Sequence, residues 1–454
     1  MSNRVQVDRA RRVTPAVYVS ADHTAPEAGI RAPGTVTEPS VGREFQAFSC
    51  LLFVVLAFIT YFPLIVSEYF GIGQSFFVVL FLLNVCLGLR LHGSSLRFNS
   101  REGVLFFFHL AFTVYAFVAY LTMHDATMKR YILIFPLALL VGYLAASSGM
   151  GYLFIISFIG VGLLSSVLAV VESLRGASLF GFSKIAALNA TSRGFRAFVG
   201  SDQPLVLATL LVLAITLAGF AVRSYFVLIP VCATLLVGVW CTGSRLPMLL
   251  AICAVVGCVS LRQFKGSCRA ISATIATAYL LTLAFGIYSI LFVWSNAQVA
   301  SDNASASSAY RPGLYSLIPQ VLNDFPLGVG FGAVQTQHWF VYMNGSRLDI
   351  SHSIDAEPVL LAVRFGWLGL IMFLVVSLIC VRMTLRDAGN GVPPLIVLAC
   401  CLSLALTAWE TLGVAFFVVL GIGAFWHLNS RVTASGRVGN SFMFYKSSEE
   451  CKSE

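Results

Sequence analysis

The sequence predicts an all-α, polytopic membrane protein with about 12 transmembrane helices. Three observations carry that prediction. Of the 454 residues, 58% are hydrophobic and only 11% are charged, with a mean hydropathy of +0.86, whereas soluble domains carry about 25% charged residues. The apolar residues run on for about 20 positions at a time, the length that crosses a hydrocarbon core as a helix. They do not alternate over about ten residues, as strands of a membrane β-barrel do. An ordinary soluble enzyme and a disordered chain are both excluded.

The elements follow in order. Residues 1–44 are polar and carry Arg4, Arg9, Arg11, Arg12, Arg31 and Arg43. They have no signal-peptide core and read as a disordered, basic cytoplasmic arm. Its arginines act as a topology signal; anionic lipid or a cytoplasmic partner is the alternative. A membrane domain spans 45–428, with candidate helices at 46–66, 74–91, 103–122, 131–148, 151–171, 204–221, 225–241, 246–261, 272–294, 357–379, 393–408 and 411–428. Pro63, Pro136 and Pro247 lie in or beside spans, where membrane helices tolerate them. Residues 429–454 form a polar cytoplasmic tail.

Charge sets the orientation. With the N-terminus in the cytoplasm, 19 of the 29 Lys and Arg residues fall on the cytoplasmic side, 9 on the other, and Arg364 within a span. That bias predicts both termini inside. The net charge of +9 then needs no nucleic-acid partner. The 11 cysteines include no Cys-x-x-Cys pair and fall mostly in spans, as small apolar residues rather than zinc ligands or a disulfide framework. No internal repeat of the transporter type is visible.

Two external segments are long, about 172–203 and about 295–356, the larger one before helix 10. The first contains Arg193-Gly-Phe-Arg196 and ends Asp202-Gln-Pro204; a short external turn reads Thr242-Gly-Ser-Arg245. The second contains Arg311, then Phe325-Pro-Leu-Gly-Val-Gly-Phe-Gly332, then His352, Asp355 and Glu357. Arg193, Arg196, Arg245 and Arg311 stand where the charge rule expects few cations. A guanidinium fork matches phosphate oxygens, so a pyrophosphate at the membrane surface is a natural counterpart; snorkelling or a loop salt bridge is the alternative. His352 can exchange a proton or hydrogen-bond a phosphate, with Asp355 on its face if the helix has begun. The alternative is a helix-start cluster with Ser351 or Ser353 as cap and acids in the first turn. His338, in the same segment, is a weaker candidate. Gly328, Gly330 and Gly332 permit positive φ and close approach of a ligand to the backbone, but the run has no P-loop lysine. Arg364 lies two turns into span ten, where a charge is costly. Glu410, beside Trp409, lies at the outer turn between the last two spans, where it can pair with an arginine or act as an interfacial anchor.

In this order, Arg-Gly...Arg...Pro before a span, Thr242-Gly-Ser-Arg245 at the head of a span, Arg311, Pro-Leu-Gly-x-Gly, His352-Ser353 and Gly366-Trp-Leu-Gly369, the chain resembles the bacterial O-antigen polymerase and O-antigen ligase family of membrane glycosyltransferases. The resemblance covers about residues 190–370. It departs at Asp202-Gln203-Pro204 and at Ser353, where family members often carry Asn, so substrate and subfamily stay open. The resemblance implies an inner-membrane enzyme that needs no metal or cofactor and uses a glycan on undecaprenyl pyrophosphate as donor. It implies His352, Arg245 and Arg311 as catalytic residues. Arg196, Arg193, Arg364, Asp355, Glu357, Glu410, Gly328 and Gly330 would then bind pyrophosphate or glycan. The expected activity is polymerisation of lipid-linked repeat units on the periplasmic face, for exopolysaccharide or O-antigen. A ligase transferring glycan to lipid A–core is the alternative, and a flippase of lipid-linked sugar is the alternative of another class. Lipid-linked oligosaccharide, membrane lipid, a chain-length regulator and export proteins are the expected partners.

Overall fold

The computed structural model describes residues 43–70, 134–147, 150–182, 190–191, 194–201, 203–222, 224–263, 268–295, 306–329, 340–343, 346–349, 354, 356–386 and 414–423. The helices expected at 74–91, 103–122 and 393–408 lie outside these residues. Apart from Arg43, the described elements belong to one compact unit, Glu44–Glu454. They are helical except for two short antiparallel hairpins.

The chain opens with α1 (Arg43–Tyr61) and α2 (Pro63–Phe70), bent 94° from one another. Pro63 lacks an N–H and starts α2 at a position proline favours. Next come α3 (Phe135–Ser147), α4 (Gly151–Arg175), the hairpin β1–β2 (Ala190–Thr191 with Gly194–Phe195), α5 (Pro204–Ala221), α6 (Tyr225–Cys241) and α7 (Arg245–Gln263). Then follow α8 (Cys268–Ser295), α9 (Ala306–Asp324), the hairpin β3–β4 (Phe340–Met343 with Ser346–Asp349), α10 (Glu357–Arg386) and α11 (Val414–Gly423).

Among the described residues, α4, α5 and α10 are each long and apolar enough to cross a membrane, and α1 with α2 would make a fourth as one bent span. α5 is the innermost of a group with α4, α6 and α7. Its Leu207, Ala208, Leu210, Leu211, Val212 and Leu213 are all buried and together cover every face, as a helix apolar all round requires. The outer helices turn large apolar side chains outward; Leu174 is 83% exposed and Phe226 92%. In water such surfaces are rare outside binding sites; beside lipid they cost nothing. Small residues set the helix contacts, as in membrane bundles generally. Gly162 of α4 faces Tyr61 and Ala214, and Gly142 of α3 and Gly421 of α11 each lie against the other helix's backbone. Tyr61 is wholly buried and donates its hydroxyl to the Leu210 carbonyl.

The sequence predicts an external loop over about 295–356, and the structure instead places α9 within it. Its Leu314, Leu317, Ile318, Val321 and Leu322 are buried at helical spacing and pack with Val359, Leu360 and Val363 of α10. The 3.6-residue period that announces it is present in the sequence.

Candidate functional site

Two loop-to-helix docks hold most of the motif residues that are described. The first joins residues 194–203 to the α6–α7 turn. After β2 the chain passes Arg196, whose Nε donates to the Thr242 carbonyl (2.9 Å) and whose Nη2 donates to Ser244 Oγ (3.1 Å). The Ala197 N–H donates to the Cys241 carbonyl at 3.1 Å. The turn fits because Gly243 has φ +65 and a Cβ there would stand 3.4 Å from Arg196 Cγ and Nε. Thr242 Oγ1 donates to the Val239 carbonyl and accepts from the Ser244 N–H, and the Ser244 carbonyl accepts the Met248 N–H of α7.

Arg196 therefore leans on the residue that precedes Arg245. Arg245 is exposed at the first position of α7. Two of the five N–H donors of the Arg196 guanidinium go to described residues, the Thr242 carbonyl and Ser244 Oγ. Burial lowers the Arg196 pKa from its ordinary value: the charged form is partly desolvated there, and an anion would restore what it has lost.

The same segment is held from behind. Glu172, in the last turn of α4, is wholly buried. Its Oε2 accepts the N–H groups of Phe198 and Val199, both at 2.8 Å, and its Oε1 accepts the Leu179 N–H at 3.1 Å. Val199 and Gly200 follow with φ +47 and +76. For a β-branched residue the left-handed region costs about 1–2 kcal/mol; such outliers persist where the surroundings over-determine them, and they gather at functional sites. The Gly200 carbonyl then accepts the Leu64 N–H at 3.0 Å, at the head of α2 just past the 94° bend. Sequence reasoning passed over Glu172 by ending the span at 171. An acid at the edge of an otherwise apolar helix was the signal.

The second dock joins Pro326-Leu-Gly328 to a break in α10. Gly366 has φ 59 and ψ −139, which splits α10. The Val329 N–H donates to the Val363 carbonyl (2.8 Å), and the Trp367 N–H donates to the Pro326 carbonyl (3.0 Å). These two bonds satisfy backbone groups that the break leaves orphaned. Gly328, with φ +82, lies against the backbone of Arg364 and Phe365, and Gly366 lies against Pro326 and Gly328; a Cβ at either would overlap those atoms. The close approach expected at Gly328 is thus made by the protein's own backbone. Arg364 is half-buried two residues before the split, and Glu357 is fully buried at the head of α10.

Arg311 falls on α9, in its second turn, and only its backbone is described. Arg193, His338, Gly330, His352, Asp355 and Glu410 lie outside the described residues. Among the described residues no group of His, Cys, Asp and Glu could hold a metal ion. A cleft of about 550 Å³ lined by Ile65, Tyr69, Leu179, Phe180 and Gly181 adjoins the first dock, and Tyr69 donates its hydroxyl to the Phe180 carbonyl beside it. No protein-family model matches the sequence, and no curated protein does.

Proposed function

We propose that the protein is a membrane glycosyltransferase that polymerises undecaprenyl-pyrophosphate-linked repeat units at the periplasmic face of a bacterial inner membrane, with about 12 spans and both termini in the cytoplasm. The observation that carries the reading is the first dock. It sets the Arg196 guanidinium against Thr242 and Ser244, next to the exposed Arg245 at the head of α7. Two cations from separate segments thus flank one turn. A pyrophosphate leaving group is already activated, so catalysis asks chiefly for stabilisation of the charge that develops on it. The acceptor hydroxyl attacks the anomeric carbon of the donor glycan. The bond from that carbon to the pyrophosphate oxygen breaks, and the pyrophosphate leaves with the electron pair, held by Arg196, Arg245 and Arg311. His352 is the first candidate to take the acceptor's proton, with Asp355, Glu357 or Glu410 behind it; the resemblance implies a histidine acting at the acceptor or the leaving group.

The test is reconstitution. The purified protein receives lipid-linked repeat units without metal or nucleotide sugar, and the glycans are resolved on a gel. A ladder of lengthening products is expected. Absence of a ladder with folded protein overturns the polymerase reading, and transfer only when lipid A–core is added replaces it with a ligase.

A further inference from the structure

We infer that Glu172 is a positioning residue: its buried carboxylate fixes the backbone that carries Arg196 onto the Thr242–Ser244 turn. The inference rests on the proposed function for its consequence in activity, though not for its geometry. Glu172 stands in the last turn of α4, the end of a helix where the exposed carbonyls disfavour a negative charge. A carboxylate cannot cap those carbonyls, since it has no donor. Complete burial raises its cost further. What offsets both is the set of three backbone N–H donors, from Leu179, Phe198 and Val199.

Those donors come from two separate segments that follow α4. Phe198 and Val199 offer successive N–H groups, the concave arrangement that binds anions elsewhere; here the anion is built in. Phe198 is two residues from Arg196. The intervening Ala197 donates to the Cys241 carbonyl. The segment bearing Arg196 is therefore gripped on one side by the α6–α7 turn and on the other by Glu172. With the grip on α4 lost, the guanidinium has no fixed register over Ser244, while the helices around α5 keep their own packing.

The experiment uses the full chain in lipid nanodiscs, with Glu172→Gln, Glu172→Ala, Arg196→Lys and the double variant Glu172→Ala/Arg196→Lys. Gln keeps the size of Glu and keeps one oxygen, which can serve either Leu179 or the Phe198–Val199 pair but not both sides. Amide hydrogen exchange over 197–199 should quicken in the Gln variant by about tenfold, as expected for loss of a charge-assisted bond, and further in the Ala variant. Peptides from α8 should be unchanged. Polymer formation should fall in the order wild type, Gln, Ala, and the double variant should be no slower than Arg196→Lys alone. Unchanged exchange at 197–199 overturns the positioning role, and so does a double variant whose losses add. If the wild type makes no polymer, the proposed function fails, and the exchange of Glu172→Gln alone decides whether the carboxylate holds this backbone. If Glu172→Ala does not fold, the Gln variant, alone and combined with Arg196→Lys, carries both measurements.

Discussion

Gly366→Ala should destabilise the protein, although Gly→Ala inside a helix ordinarily stabilises by about 0.5–1 kcal/mol. The reversal follows from the break in α10. At φ 59 and ψ −139 an alanine sits in a region used almost only by glycine, which costs about 1–3 kcal/mol. Its Cβ would also overlap the Pro326 carbonyl, which is backbone and cannot rotate away. Relief requires parting the second dock, a clip between Pro326-Leu-Gly328 and the break in α10, and losing the Trp367–Pro326 and Val329–Val363 bonds, at about 1 kcal/mol net each. The total is about 3–5 kcal/mol when strain and both bonds are counted. Gly160 and Gly257 supply the contrast: both are helical, and a Cβ at either meets nothing within 4 Å. Alanine there should be neutral or stabilising by up to about 1 kcal/mol. Stability of a large membrane protein is best scored as a rate. The half-life of monodisperse protein in detergent, followed by size exclusion after heating, ranks the three variants against wild type. A Gly366→Ala protein that survives heating as long as wild type, or longer, would refute the account of the clip.

Other outcomes follow from the first dock. Arg245→Gln should cut polymer formation by about 10-fold to 100-fold, the worth of one charge-assisted contact to phosphate, with no loss of membrane-inserted protein because Arg245 is exposed; a normal ladder would remove it from the site. Gly243→Ala should cost about 1–2 kcal/mol for its positive φ and lower polymer yield as well, since straining this turn shifts the carbonyl and hydroxyl that hold Arg196; stability loss with full activity would separate the turn from the chemistry. Tyr69→Phe removes the bond to the Phe180 carbonyl at 2.8 Å and should cost about 0.5–1.5 kcal/mol, seen as faster amide exchange over 176–182. Unaltered exchange there would mean that the ring contact with Phe182 holds the segment alone.

The helices were legible where local chemistry marks both ends. α5 starts at Pro204 and α6 closes on the Thr242-Gly243 turn, and both match the windows that hydropathy and turn residues predicted. The single span expected at 46–66 is a bent pair instead. Pro63 was visible; the Gly200 carbonyl that caps the second half was not, because that pairing exists only once the chain has folded. Glu172 shows the same limit from the other side. Its acidity is visible, but the three amides that donate to it, from Leu179, Phe198 and Val199, are brought there only by the folded chain. α9 is hidden for a different reason: Pro312, Gly313 and Pro319 interrupt its helical period and argue for a loop.

The glycines explain why the motifs themselves are ambiguous in sequence. A glycine beside a charged residue reads as a loop shaped to a ligand. Here Gly243, Gly328 and Gly366 make their close approaches to Arg196, to the backbone of Arg364 and to Pro326, and the partner in each case is the chain itself. Each glycine lets a loop lie flush on a helix end or a helix break. Each dock then has an arginine built into it, Arg196 at one and Arg364 at the other. The Arg196 guanidinium, held on the Thr242 carbonyl and Ser244 Oγ, has lost side-chain freedom before any ligand arrives, so less entropy is lost on binding. By this argument the glycines act on affinity through the arginines beside them. Gly243→Ala should therefore lose its effect on polymer yield when Arg196 is already replaced by Lys, and an undiminished effect in that background would show that the glycine serves the ligand directly.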